Sequence, residues 1–245
     1  MKKLLKSFLP LKIRIFIRST INQVKYFFPY HYAKITLKNK YFEFRKKKLN
    51  YHIAQYNTTF LNERTVEIPI IIDYINQYKN KKILEIGNVL SHYFNVSHII
   101  VDKYEKGDNL VNSDILDYDS QDKYDLIVSI STFEHIGFDE YNRYGKDETG
   151  KGSPDAVLKA IEFTKNLLTS EGLFIFTIPL GFNAFLNSKL KNNELKLTEL
   201  NYMKRISSSN EWKQVSYDDV EGIRYGYPYI CANGILVGIF KNEKI

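Results

Sequence analysis

Lys82-Ile83-Leu84-Glu85-Ile86-Gly87-Asn88 reads as a short buried strand that runs into a glycine turn. A second apolar run, His98-Ile99-Ile100-Val101, ends on Asp102, fifteen residues past Gly87. A third, Tyr124-Asp125-Leu126-Ile127-Val128-Ser129, leads into Phe133-Glu134-His135-Ile136. A nucleoside-bearing ligand needs such a set: a strand, a turn without side-chain bulk, and an acid at the next strand end. The glycine lets the backbone approach, and a carboxylate can accept from two ribose hydroxyls.

Outward from that stretch the order alternates. Strands are expected at 83–86, 98–101, 126–130 and 173–178, separated by helical or loop stretches, which implies a largely parallel sheet. Asn62 to Tyr78 carries Val66, Ile70, Ile71, Tyr74 and Ile75 at helical spacing, with Pro69 in the first turn or at a bend. Ala156 to Leu168 is the clearest helix, with Ser153 as N-cap and Pro154 at the first helical position. Val215-Ser216-Tyr217 and Gly234 to Phe240 read as the last two strands, and Lys34 to Phe44 as a hairpin turning at Lys38-Asn39-Lys40. Arg45 to Lys48 reads as a solvated charge run. Gly137 to Gly152 is a long polar segment at the carboxyl edge of the sheet, where open α/β sheets bind ligands.

A chain of 245 residues can bury one α/β core plus an extension. The single cysteine, Cys231, excludes an internal disulfide framework and a Cys-rich zinc site, and the five histidines are scattered, so no metal site is expected. The net charge of +7 is unevenly placed. Residues 1–50 hold 14 Lys and Arg against Glu43 alone, which leaves 21 basic and 27 acidic residues in 51–245. The basic character belongs to an N-terminal extension, which argues against a nucleic-acid groove across the whole protein. Cations at Lys6, Lys12, Arg14 and Arg18 interrupt any signal-peptide or membrane-spanning core. Leu4, Leu5, Phe8, Leu9, Ile13, Phe16 and Ile17 with those cations suit either an amphipathic surface on an anionic membrane or a helix packed on a domain or a second subunit.

From about Leu61 to Phe240 the chain resembles the class I S-adenosylmethionine-dependent methyltransferases. Gly87, Asp102 and the third strand carry the likeness. Two further stretches, Tyr56-Asn57-Thr58-Thr59 with Asn62 to Pro69, and Ser129-Ile130-Ser131-Thr132-Phe133-Glu134-His135, resemble enzymes encoded with bacterial surface-polysaccharide genes. The resemblance implies a Rossmann-like, doubly wound, mostly parallel seven-stranded sheet with an antiparallel last strand. Residues 56–245 would form that domain and residues 1–55 the basic extension. It implies S-adenosyl-L-methionine as cofactor, with Glu85, Gly87, Asn88 and Lys103 around the methionine and ribose and Asp102 on the ribose hydroxyls. Asp114 and Ile115 would lie at the adenine, and Ser129, Ser131 and Phe133 under the sulfonium. The glycine turn departs from the family pattern, which has two or three glycines where Asn88-Val89-Leu90-Ser91-His92 stand here.

Methyl transfer is an in-line displacement, so alignment in a dry site is the main task. A sugar hydroxyl gains from a general base, and His135, with Glu140 behind it, is the candidate. His92, Tyr141, Arg143, Lys146, Gly181 and Asn183 are the substrate-binding candidates, the cations suiting a nucleotide-activated or phosphorylated sugar. Tyr225-Gly226-Tyr227-Pro228-Tyr229 reads as a sugar-stacking platform or as a turn packed on the sheet. The expected function is O-methylation of a glycan precursor in the cytoplasm, with residues 1–28 able to touch the inner face of the membrane. Methylation of a phosphoryl group or an amine, RNA methylation, a non-catalytic cofactor fold and a homodimer all stay open.

Overall fold

The computed structural model describes residues 25–137 and 155–243. Helix α1 (25–37) leads into a hairpin, β1 (Tyr41–Phe44) and β2 (Lys47–Asn50). Helix α2 (Arg64–Gln77) precedes the main sheet, whose strands are β3 (Ile83–Ile86), β4 (Ile99–Asp102), β5 (Leu110–Asn112), β6 (Tyr124–Ile130), β7 (Leu168–Pro179), β8 (Glu199–Arg205), β9 (Trp212–Val215) and β10 (Gly234–Lys241). Helices α3 (Ala156–Asn166) and α4 (Ala184–Lys191) flank β7.

The sheet runs β5-β4-β3-β6-β7-β10-β8-β9. Strands β3 to β7 are parallel, and β10 is antiparallel to both neighbours, β7 and β8. The chain winds outward through β4 and β5, returns to β6 beside β3, and winds the other way. The β3–β6 pair is therefore the topological switch point, and a crevice opens outside the strand ends there. The expected fold holds, but the sheet has eight strands rather than seven, and the strand expected at 215–217 is the edge strand β9, which ends at Val215.

Two cores explain the layering. Leu84, Ile86, Phe174, Phe176 and Ile178 face Val157, Ala160 and Ile161 of α3 on one side. Leu126, Val128, Ile130, Ile235 and Val237 face Val66, Ile70 and Ile71 of α2 on the other, with Phe42 and Phe44 of the hairpin. The strand residues alternate between the cores because side chains alternate across a strand.

The N-terminal expectations need correcting. Residues 34–37 are helical, and the hairpin turns at Arg45-Lys46, both with positive φ (50° and 63°). Tyr26, Tyr30, Ala33 and Leu37 recur at helical spacing; Ala33 and Leu37 are buried, and Tyr26 and Tyr30 meet Phe60 edge-on. Arg45 to Lys48 are exposed, as expected, yet Arg45 is also anchored: its backbone N–H donates to Gln214 Oε1 (2.7 Å) and its guanidinium to the Tyr74 hydroxyl (2.7 Å). Pro69 lies inside α2, in its second turn. It removes the N–H that would meet the Thr65 carbonyl, and His52 N–H donates to that oxygen instead (2.9 Å). The expected caps Ser153 and Pro154 lie outside the described residues.

Candidate active site

The ends of β3 and β4 are tied by backbone. Gly87 N–H donates to the Val101 carbonyl (2.8 Å), and Asn88 N–H to Asp102 Oδ2 (2.9 Å). Asp102 Oδ1 accepts from Tyr104 N–H and Glu105 N–H, both at 2.8 Å. A carboxylate offers about four lone-pair sites. Three are taken, so Asp102 retains room for one hydroxyl rather than two. Gly87 has φ +83°, and a Cβ there would stand 2.2 Å from Thr132 Oγ1. Only glycine lets the turn close against the end of β6.

Glu85 stabilises this turn from within. Fully buried, it accepts from Val89 N–H (3.0 Å) and Leu90 N–H (2.9 Å) on Oε1, and Oε2 meets His98 Nε2 (2.8 Å). The side-chain carboxylate does what additional glycines would otherwise allow: it fixes the path of Asn88-Val89-Leu90.

A cleft follows, lined by Gly87, Asn88, Asp102, Lys103, Asp114, Ile115, Ser131 and His135 among the expected residues. Asp114 caps the turn after β5 through Leu116 N–H (3.0 Å) and pairs with Lys103 Nζ (3.1 Å). Glu105, Thr132 and Arg64 line it as well. Glu105 accepts from Asn88 Nδ2 (2.7 Å) and meets His92 Nε2 (3.1 Å). His92 stacks on Tyr56 (centroids 4.7 Å) beside the cleft rather than on its lining.

Several expected ligands turn out to be scaffold. Glu85 is the turn support just described. Ser129 is buried and donates to the Ile86 carbonyl (2.7 Å), so its hydroxyl is spent between strands. Phe133 is fully buried against Phe174 and Phe176. Gly181 has φ +78°, and a Cβ there would stand 2.4 Å from the Ile223 carbonyl oxygen. Asn183 caps α4 through Leu186 N–H (3.0 Å) and donates to the Glu134 carbonyl (3.0 Å). Glu140, Tyr141, Arg143 and Lys146 lie outside the described residues.

A second cleft shares the wall of Arg64, Ser131 and His135 and extends to Asn57, Glu63, Glu134, Phe182, Tyr225 and Cys231. Phe182 meets His135 (5.0 Å, 70°) and Tyr225 (5.2 Å, 75°) edge-on, so three rings form a corner. Ser131, Asn57 and Cys231 all carry positive φ (39°, 50° and 64°). Non-glycine residues held this way store strain and gather at functional sites.

Charge is concentrated beneath this cleft. Arg64 Nη1 donates to Glu67 Oε2 (2.5 Å), and Ser131 Oγ donates to Glu67 Oε1 (2.6 Å). Burial works against the Arg64 cation, but Glu67, Glu63 and Glu134 outweigh it and hold the guanidinium charged. Burial raises the Glu134 carboxyl well above its ordinary value; Arg64 opposes that, while Glu67 and Glu63 add to it. Glu63, which accepts from Ala232 N–H (3.1 Å), is raised by burial and then by Glu67. The Tyr225 hydroxyl is raised by burial and then by Glu63.

The sequence reading missed Glu63, Arg64, Glu105 and Glu134 as lining residues. Its one available signal was Glu63-Arg64 with Glu67 at the start of an otherwise apolar helix. Among the described residues no group of three His, Cys, Asp or Glu is placed to hold a metal ion.

No protein-family model matches the chain, and no curated protein matches it in sequence. Solved structures do. N-methyltransferase NodS from Bradyrhizobium japonicum WM9 is 15% identical, with 74% of this chain and 97% of that chain covered at a TM-score of 0.42. TehB from Haemophilus influenzae is 13% identical, over 78% and 65% of the two chains, at 0.44. A SAM-dependent methyltransferase from Archaeoglobus fulgidus is 14% identical, over 76% and 97%, at 0.42. Strand order and direction, not these likenesses, establish the fold.

Proposed function

We propose that this chain is an S-adenosylmethionine-dependent methyltransferase whose acceptor is a small molecule in the second cleft. The observation that carries this reading is the joining of the Gly87 turn to Asp102 across the adjacent ends of β3 and β4, beside the switch point. The first cleft fits the group. Asp102 has one acceptor site to spare, Glu105 stands beside it for a second hydroxyl, and Asp114 with Ile115 offers an acceptor and an apolar cover for a base. Arg64 suits the methionine carboxylate as a charged donor on the shared wall. When bound, the cofactor supplies an electrophilic methyl on a cationic sulfur. The chain's own residues orient it, hold the acceptor in line and exclude water.

The sequence resemblance supports a hydroxyl of a sugar or glycan precursor, stacked on Phe182 and Tyr225, with His135 as base. A second reading, an amine acceptor, is favoured by Glu63 and Glu134 on the same wall. Calorimetry with S-adenosylhomocysteine tests the shared premise: micromolar binding is expected, and none at millimolar ligand would sink both. With an acceptor identified, His135→Ala should cut turnover about 10²-fold or more and leave cofactor affinity intact. Normal turnover would remove His135 from the base role.

Helix α1 extends the N-terminal reading. Phe27, Phe28, Tyr32 and Ile35 stand exposed on the face away from Phe60, among Lys25, Lys34 and Lys38. That face, on a strongly basic segment, suits the anionic inner surface of a membrane, where the enzyme would meet a lipid-linked precursor. No described helix is long and apolar enough to cross a membrane. Sedimentation with phosphatidylserine vesicles but not phosphatidylcholine vesicles is expected, weakened by Phe28→Ser. Equal behaviour with both lipids would refute it.

A further inference from the structure

We infer that the second cleft selects a cationic amine, held by the Glu134 carboxyl against the aromatic corner of Phe182, Tyr225 and His135. This rests on the methyltransferase reading and names its substrate class.

The argument starts from an unmet group. Glu134 is 1% exposed, lines the cleft, and its Oε2 has no hydrogen-bond partner among the described residues. A buried carboxyl oxygen without a donor is costly, and native proteins keep one chiefly where something else supplies the donor. Among the described residues no cation is paired with that oxygen. Arg64 Nη1 is paired with Glu67 at 2.5 Å. Arg205, which also interacts with Glu63, spends its guanidinium on the carbonyls of Leu61, Ile230, Ser207 and Ser208. His135 Nε2 stands 3.6 Å from Glu134 Oε1, on the other oxygen. Among the described residues, Glu63, Glu67 and Glu134 thus share one directly paired Lys or Arg cation, and the two that line the cleft disfavour an anionic acceptor.

An ammonium supplies both what the oxygen and what the rings require. Its N–H donates to Glu134 Oε2, and its charge is favoured by the neighbouring aromatic rings. A phosphorylated acceptor would instead bring negative charge against Glu63 and Glu134. For reaction, the ammonium gives an N–H proton to the Glu134 carboxylate, which leaves a neutral amine with its lone pair. That pair forms the N–C bond to the methyl of the sulfonium as the C–S bond breaks. The C–S electrons stay on sulfur as a neutral thioether, and nitrogen ends as a methylammonium.

The test uses the full chain saturated with S-adenosylhomocysteine. Methylamine, 2-phenylethylamine and 1,4-diaminobutane are titrated, and each is matched with its alcohol: methanol, 2-phenylethanol and 1,4-butanediol. At least one amine should bind at least tenfold more tightly than its alcohol. Glu134→Gln should erase that preference and keep S-adenosylhomocysteine affinity. Phe182→Leu, which leaves the carboxyls untouched, should weaken the amine several-fold and its alcohol less. Alcohols binding as well as amines, no amine binding, or a preference that survives Glu134→Gln overturns the proposal while the cofactor reading stands. Loss of S-adenosylhomocysteine binding by the parent chain overturns both.

Discussion

Asp102→Ala is the sharpest test of the cofactor cleft. The substitution removes acceptors from Asn88, Tyr104 and Glu105 N–H, three bonds of 2.8–2.9 Å to one carboxylate. Bonds to charged groups contribute about 1.5–3 kcal/mol each when buried. Asp102 is only half-buried, so water replaces part of each, and about 3 kcal/mol in total is a fair expectation. At this chain length that corresponds to a melting temperature lower by roughly 6–12 °C. Cofactor affinity should fall further than the ribose bond alone implies, by tenfold to a hundredfold or more, because the Gly87 turn loses its tether to β4. Asp102→Asn separates the two effects. Its amide oxygen can serve Tyr104 and Glu105 while its NH₂ opposes Asn88 N–H, so stability should drop about half as far and affinity nearly as much. Scanning calorimetry and titration with S-adenosylhomocysteine read both quantities. An alanine variant that melts like the parent, or an asparagine variant that binds like it, would refute the reasoning.

Gly87→Ala forces a Cβ to 2.2 Å from Thr132 Oγ1 at φ +83°; with strain and overpacking of about 1–3 kcal/mol each, it should lower the melting temperature and abolish S-adenosylhomocysteine binding. Thr132→Gly in that background should recover part of the stability, and parental binding by the single variant would count against the turn assignment. The Glu134 carboxyl, raised by burial above its ordinary 4.5, favours the folded state fully below about pH 4.5 and loses that contribution as pH rises toward its folded value. Glu134→Gln should therefore show a shallower fall of melting temperature as pH rises above about 4.5; Glu63, raised in the same direction, titrates in both proteins. Identical slopes would show that Glu134 ionises freely in the folded chain.

Legibility followed burial. The central strands β3, β4, β6 and β7 are near-continuous apolar runs, and each was located within a few residues. Strand β5 is three residues with Val111 exposed, and β8 is Glu-Leu-Asn-Tyr-Met-Lys-Arg, so neither has an apolar pattern to read. The hairpin turn was misplaced because Arg45 and Lys46 adopt positive φ without the Gly or Asn that usually marks it. The placement of Gly87 and Asp102 at adjacent strand ends was legible because the apolar runs of β3 and β4 end there. Glu85, Ser129, Phe133, Gly181 and Asn183 were not separable from ligands, because type and position look alike whether a side chain faces a cleft or a neighbouring carbonyl. Glu134 escaped notice beside His135, since nothing in the sequence tells which of two adjacent polar residues is buried without a donor.

The depleted glycine turn also says what the first cleft does not bind. Phosphate-binding turns leave successive backbone N–H groups pointing at the ligand. Here four in a row are used internally: Gly87 by Val101, Asn88 by Asp102, and Val89 and Leu90 by Glu85. A pyrophosphate would find those four donors already taken, and Asp102 with Glu105 would repel it. A nucleoside without phosphate and with a cationic end meets no such objection. Its hydroxyls donate to the carboxylates, and its charge is welcome near the acidic wall that Glu63 and Glu134 form in the adjoining cleft. The side chains that replace the missing glycines therefore narrow the ligand from nucleotides in general to the uncharged-ribose, cationic class to which S-adenosylmethionine belongs.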